Sequence, residues 1–102
     1  MAKRVRKAVP PIHPGETLRE DILPGLGKTK SDIARLLGIS RQTLFDILNE
    51  RQPITPAMAL RIGKLLGSGP NRWIDLQRAY DLHLAGKQLR KKLAKIPTIR
   101  AA

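Results

Sequence analysis

The apolar residues of this chain recur with the period of a helix, beginning in the segment 14–23. Leu18 and Ile22 lie four positions apart there and therefore fall on one face of a helix. Pro14 suits the first helical position because that position needs no N–H partner, and Pro24 marks the exit. The pattern therefore predicts a first helix over residues 14–23.

The same pattern predicts four more helices along the chain. Ser, Thr or Pro stands at the start of each run, where N-caps and first-turn prolines belong, and Gly follows several of the runs. The predicted helices cover residues 30–37, 41–49, about 55–66 and about 70–85. Because no segment alternates apolar and polar residues for long, we predict an all-α fold, a five-helix bundle.

Residues 30–47 join two short predicted helices through a three-residue turn that begins at Gly38. Two helices that cross steeply need a small residue at their contact, which Ala34 supplies, and Gly38 tolerates the left-handed backbone of the turn. The apolar positions that lock such a pair together are all filled: Ile33, Leu37, Ile39, Leu44 and Ile47. The segment therefore predicts a helix-turn-helix.

The outer face of the third helix distinguishes this segment from a helical hairpin that only packs in a bundle. Arg41 and Gln42 lie at its start, where a recognition helix meets bases, and these residue types bind guanine and adenine edges through paired hydrogen bonds. We therefore expect binding to double-stranded DNA. The residues predicted to contact DNA are Lys30, Ser40, Arg41, Gln42, Thr43, Asp46, Asn49 and Arg51.

Positive charge is concentrated at the two ends of the chain. The 102 residues carry a net charge of +12, yet residues 10–85 hold ten basic and eight acidic side chains. We divide the chain into a basic N-terminal arm (1–11), a helix-turn-helix domain with a C-terminal dimerisation helix (12–85) and a basic tail (86–102), although 87–94 also suit a continuation of the last helix. A run of like charge alone is usually a solvated tail, but two such ends on a DNA-binding core favour contact with DNA phosphates.

The sequence offers no chemistry for catalysis, metals or cofactors. It has no Cys, and His13 and His83 lack spaced partners of the kind that zinc sites use. We therefore expect no enzyme activity, no metal and no cofactor. No apolar run approaches a membrane span and the basic start lacks the apolar stretch of a secretory signal, so we expect a cytoplasmic protein without a membrane partner.

The last predicted helix carries the aromatic residues of the C-terminal half. Trp73, Tyr80 and Leu84 are the candidate dimerisation residues, because an aromatic ring with a polar tip suits a subunit seam. For Trp73 the core of a single chain is the preferred alternative. A helix-turn-helix of this size covers one half-site of DNA, so we expect a homodimer on an inverted repeat.

Several separated segments resemble HigA-type antitoxins of the Xre/Cro helix-turn-helix family. They are IHPGE at 12–16, LRE at 18–20, ITPAMALR at 54–61 and WIDLQRAYDL at 73–82. The resemblance implies a bacterial, cytoplasmic homodimer that represses its own operon and neutralises a HigB-type toxin, a RelE-like enzyme that cuts mRNA. One departure is Gly69, which stands where the family has a Ser before the last helix; we expect this Gly to act as the cap.

Two other functions remain open at this point. A stand-alone Xre-family repressor without a toxin partner would share the same fold and the same DNA face. A nucleic-acid binder acting by charge alone is disfavoured, because Asp46 on the outer face would weaken it.

Overall fold

The computed structural model describes residues 9–100, and these residues form helices and connecting turns without a strand. Most of the predicted N-terminal arm lies outside the described residues. The all-α prediction is confirmed, with six α-helices in the described part where the sequence predicted five. They are α1 (Pro14–Thr17), α2 (Lys30–Leu37), α3 (Arg41–Leu48), α4 (Pro56–Leu66), α5 (Asn71–Gln88) and α6 (Arg90–Ala94).

The predicted first helix is interrupted soon after it begins. It passes from α1 into a π-helical turn, Leu18–Ile22, and then into a 3-10 turn, Leu23–Leu26. Pro24 has no N–H to continue the α-helical ladder, and in a regular α-helix its ring would clash with the preceding turn. The N–H of Leu23 instead bonds to the carbonyl of Leu18, five residues back.

Local caps set the starts of the three central helices. The hydroxyl groups of Thr29, Ser40 and Thr55 each accept the backbone N–H three residues further on. Such a cap stabilises a helix by about 1 kcal/mol. Helices α2 and α4 end at Gly38 and Gly67, whose φ angles of +74° and +72° lie in the left-handed region that favours glycine. The sequence predicted the bounds of α2 correctly because both its signals are local.

Two glycines allow segments of backbone to approach closely. A Cβ on Gly15 would overlap the carbonyl oxygen of Ile47, so α1 lies directly against α3. A Cβ on Gly63 would likewise overlap the carbonyl group of Gly69, where the chain turns from α4 towards α5. Any larger residue at Gly15 or Gly63 would force these elements apart.

The core lies between α2, α3 and α4 and is closed by the start of α5. Its buried apolar residues are Leu18, Ile33, Ala34, Leu37, Leu44, Ile47, Leu48, Ile54, Ala59, Ile62 and Trp73. The side chain of Trp73 is 0% exposed within the single chain, and its indole N–H donates to Ser68 Oγ at 3.1 Å. Trp73 therefore offers no surface to a second subunit, and its placement among the dimerisation residues was wrong.

Helix α5 begins and ends later than the sequence predicted. Its N-cap is Pro70, without a side-chain hydrogen bond, so Gly69 does not cap it. Gly86 lies inside the helix, which continues to Gln88 and is followed by α6. Beyond Gln77, neither helix contains a fully buried residue. Within residues 9–100, no helix combines the length and apolar character that a membrane span requires.

Candidate nucleic-acid interface

The turn between α2 and α3 fixes the relative orientation of the two helices. Gly38 donates its N–H to carbonyls of the last turn of α2, including that of Ala34, whose side chain is buried at the crossing. Arg61 of α4 donates from Nη1 to the carbonyl of Leu37 at 2.7 Å. A cation at the C-terminal end of a helix is stabilised by the helix dipole. The end of α2 is therefore held from two sides.

The N-terminus of α3 presents two long polar side chains beside a closed cap. The Ser40 hydroxyl accepts the Thr43 N–H at 3.0 Å and donates to Thr43 Oγ1 at 2.9 Å. Ser40 and Thr43 are thus joined to each other. Arg41 and Gln42 are exposed between them, and Arg41 Nη1 lies 3.4 Å from the hydroxyl of Ser31 in α2. The guanidinium and amide groups are the parts of this surface suited to base edges.

The carboxylate of Asp46 lies near three polar side chains at the outer face of α3. Its carboxylate accepts from Gln42 Nε2 at 2.8 Å and from Gln52 Nε2 at 3.5 Å, and Arg51 Nη1 lies 3.9 Å away. Residues three and four positions apart on a helix are neighbours, so Asp46 holds the Gln42 amide in a defined place. The geometry gives Asp46 a positioning role beside Gln42.

The residues after α3 form the other edge of this face. Asn49 and Arg51 are both exposed, as a contact with phosphate would require. Between them, Glu50 adopts a φ of +63°, and its carboxylate lies 3.5 Å from Nη1 of Arg19. That Nη1 also donates to the carbonyl of Leu48 at 2.6 Å. Arg19 therefore joins the end of α3 to the π-helical turn.

Phe45 is the residue of this face that the sequence analysis missed. It follows Arg41 by four positions and Gln42 by three, so it shares their side of α3, and it is 38% exposed. The ammonium group of Lys30 lies 5.7 Å from the centre of its ring, in cation–π contact. The signal that reveals Phe45 is its register with the exposed polar residues, because composition alone assigns an aromatic residue to the core.

Local contacts shift the pKa values of two groups near the base of the interface. The hydroxyl of Thr29 donates to Asp32 and, together with nearby Arg35, holds the pKa of that carboxyl below its usual value. A hydrogen bond from Arg19 to Glu20 raises the pKa of the guanidinium group. The Asp32 carboxylate is accordingly in its charged form at neutral pH, beside Arg35.

His13 connects the entrance of α1 with α5. It is buried, its Nδ1 accepts the N–H of Gly15 at 2.9 Å, and its ring meets that of Tyr80 edge to face at 5.0 Å. Burial lowers the pKa of His13, while the nearby charges of Glu50 and Asp81 oppose the shift. Tyr80 is thus half-buried against its own chain, whereas Leu84 is exposed further along α5.

Across residues 9–100, His, Cys, Asp and Glu form no group of three or more suited to a metal ion.

A helix pair joined by a left-handed glycine turn, with an exposed polar start to the second helix, defines a helix-turn-helix domain. The chain matches the helix-turn-helix family over residues 18–73. It is 36% identical over 80 residues to virulence-associated protein I of Dichelobacter nodosus, covering 78% of this chain and 74% of that protein.

The similarity extends to antitoxins. Antitoxin HigA-1 of Vibrio cholerae is 31% identical over 72 residues, covering 71% of this chain and 68% of that protein. The structure of Pseudomonas aeruginosa antitoxin HigA with the higBA promoter superposes with a TM-score of 0.83 at 33% identity, covering 88% of this chain and 99% of that one. The chain belongs to the Xre-type helix-turn-helix family that includes the HigA antitoxins.

Proposed function

We propose that this chain is the DNA-binding antitoxin of a type II toxin–antitoxin pair and represses its own operon. The observation that carries the proposal is the exposed face of α3, where Arg41 and Gln42 stand at the helix N-terminus and Asp46 orients the amide. Arg and Gln at this place in a helix-turn-helix contact base edges in the major groove. The similar HigA structure with the higBA promoter supports the same role here.

The proposed DNA contacts fall into two groups. Arg41 and Gln42 read bases. Lys30, Asn49 and Arg51 contact phosphates at the edges of the face, because all three are exposed and able to donate hydrogen bonds. Asp46 holds the Gln42 amide in place, and Ser40 and Thr43 close the cap at the start of α3.

The proposed active form is a homodimer that binds an inverted repeat. A single reading helix covers one half-site, and paired half-sites lie about 34–36 Å apart on one face of the DNA. The second half of α5 supplies the seam, where Leu84 is exposed and Tyr80 is half-buried. The molecule acts as a regulator without catalytic activity, in the bacterial cytoplasm.

A titration of the full chain tests the DNA-binding role. Duplexes from the region upstream of its own gene, labelled with a fluorophore, are titrated at physiological salt, and fluorescence anisotropy reports binding. We expect one duplex to bind at least a thousandfold more tightly than a scrambled duplex of equal length, the usual lower margin of specific over non-specific binding. Equal affinity for both duplexes would contradict the proposal.

Toxin neutralisation is tested separately, because a stand-alone repressor would bind DNA just as well. The product of the neighbouring short gene is expressed alone and together with this chain. An antitoxin restores growth and co-purifies with that product. A stand-alone repressor gives specific DNA binding without either effect, and this result would replace the antitoxin role with the alternative.

A further inference from the structure

Phe45 is an unusual residue for the polar outer side of α3, which carries Arg41 and Gln42 and is called the reading face here. It lies on the outer side of α3 in register with Arg41 and Gln42, and 38% of its surface is exposed. The buried side of the helix is already filled by Leu44, Ile47 and Leu48. The core therefore does not account for the exposed part of the ring.

The ring is also held in position by the neighbouring helix. Lys30 stands at the first position of α2, and its ammonium group lies 5.7 Å from the centre of the Phe45 ring. A cation over an aromatic face is attracted by the negative charge of that face. The contact joins the start of α2 to the outer side of α3. The exposed ring therefore forms an apolar surface beside Arg41 and Gln42.

DNA presents one apolar group on the base edges of the major groove, the C5-methyl group of thymine. We propose that Phe45 is a specificity-determining residue that contacts a thymine methyl group in each half-site of the operator. The inference rests on the proposed DNA-binding function and adds the identity of one base to it. Arg41 and Gln42 form hydrogen bonds with base edges, and Phe45 contacts a thymine methyl group next to those edges.

Deoxyuridine tests this contact because it removes the methyl group and keeps every hydrogen-bonding group of thymine. A preferred duplex is first selected from a random duplex pool with the full-length chain. Each thymine is then replaced singly by deoxyuridine, and affinity is measured by fluorescence anisotropy. We expect one thymine in each half-site at which the replacement weakens binding about fourfold, the factor for burying one methyl-sized group.

Protein variants then assign the effect to a side chain. In Phe45→Ala the same thymine and deoxyuridine duplexes should bind equally well, so the fourfold difference disappears. Leu36→Ala is the matched control, since Leu36 is an apolar residue of α2 with similar exposure, 45%, and lies beside Leu26 and Leu65 rather than on the reading face. It should retain the full fourfold difference.

Each outcome decides the proposal. If no deoxyuridine replacement weakens binding of the unaltered chain, no methyl group is read and the inference is wrong. This measurement needs no variant to fold. A fourfold effect that persists in Phe45→Ala would assign the methyl contact to another residue, such as Thr43, and would equally overturn it. Failure to select any duplex would instead refute the proposed DNA-binding function.

Discussion

Gly15 is the glycine at which an added Cβ would be most closely obstructed by neighbouring atoms. A Cβ there would overlap the carbonyl oxygen of Ile47 and lie 3.0 Å from its carbonyl carbon and 3.1 Å from His13 Nδ1. The obstructing atoms belong mainly to backbone, which cannot rotate away as the tip of a side chain can. The substitution Gly15→Ala must therefore displace α1 from α3.

The size of the effect follows from two opposing contributions. Overpacking a well-packed site costs up to about 3 kcal/mol, and the higher helix propensity of Ala returns about 1 kcal/mol. We therefore expect the free energy of unfolding to fall by about 2 kcal/mol. For a domain of this size the corresponding decrease in Tm is roughly 8–16 °C.

Gly86→Ala is the matched control for this measurement. Gly86 also lies in a helix, but a Cβ there would have no atom within 4 Å. The same replacement should then raise the free energy of unfolding by up to about 1 kcal/mol through helix propensity alone. Thermal and urea unfolding, followed by far-ultraviolet circular dichroism, give both values. If Gly15→Ala matched the unaltered chain in stability, the close approach of α1 and α3 would be refuted.

Three further predictions concern DNA and pH. Arg41→Ala and Gln42→Ala should each weaken binding to the preferred duplex by about 1–3 kcal/mol while leaving non-specific binding nearly unchanged, and wild-type footprints from both would exclude α3 as the reader. Because burial lowers the pKa of His13, the folded chain binds fewer protons than the unfolded chain in weak acid, so the free energy of unfolding should fall as pH decreases below about 6.5. His13→Gln should remove this decrease between about pH 7 and 5, and an unaltered pH profile would contradict the assignment. Deleting residues 1–9 should flatten the slope of log affinity against log salt, by about 0.9 for each phosphate that the arm neutralises, and an unchanged slope would place the arm away from DNA.

The sequence predicted best those features whose causes lie within a few residues. Helix α2 begins after the Thr29 cap and ends at Gly38, and both signals are legible without any tertiary contact. The helix-turn-helix followed from the same local pattern, with Ala34 at the crossing. The π-helical turn after α1 was not predictable in this way, because no local signal marks the bond from the Leu23 N–H to the carbonyl of Leu18, five residues back.

The sequence predicted most residues of the candidate interface, and the structure adds the contacts among them. Periodicity places Gln42 and Asp46 one turn apart, but only the structure shows Gln52 and Arg51 converging on the same carboxylate. Phe45 was missed because hydrophobicity alone does not separate an exposed aromatic residue from a buried one. For Trp73 the sequence allowed both a core and a seam, and its complete burial decides in favour of the core.

Several basic residues of the helix-turn-helix domain contact other groups of the same chain. Arg19 donates to the end of α3 and Arg61 to the end of α2, while Arg35 and Arg78 lie beside carboxylates of their own helices. Arg72 lies over the ring of Trp73 at 5.0 Å. Arg19 and Arg61 hold helix ends in place. Residues 10–85 hold ten basic and eight acidic side chains, so most of the net charge of +12 lies at the two ends of the chain. On the proposed function, we expect specific recognition to depend on the exposed side chains of α3 and its edges, and the salt dependence of binding to depend largely on the basic ends of the chain.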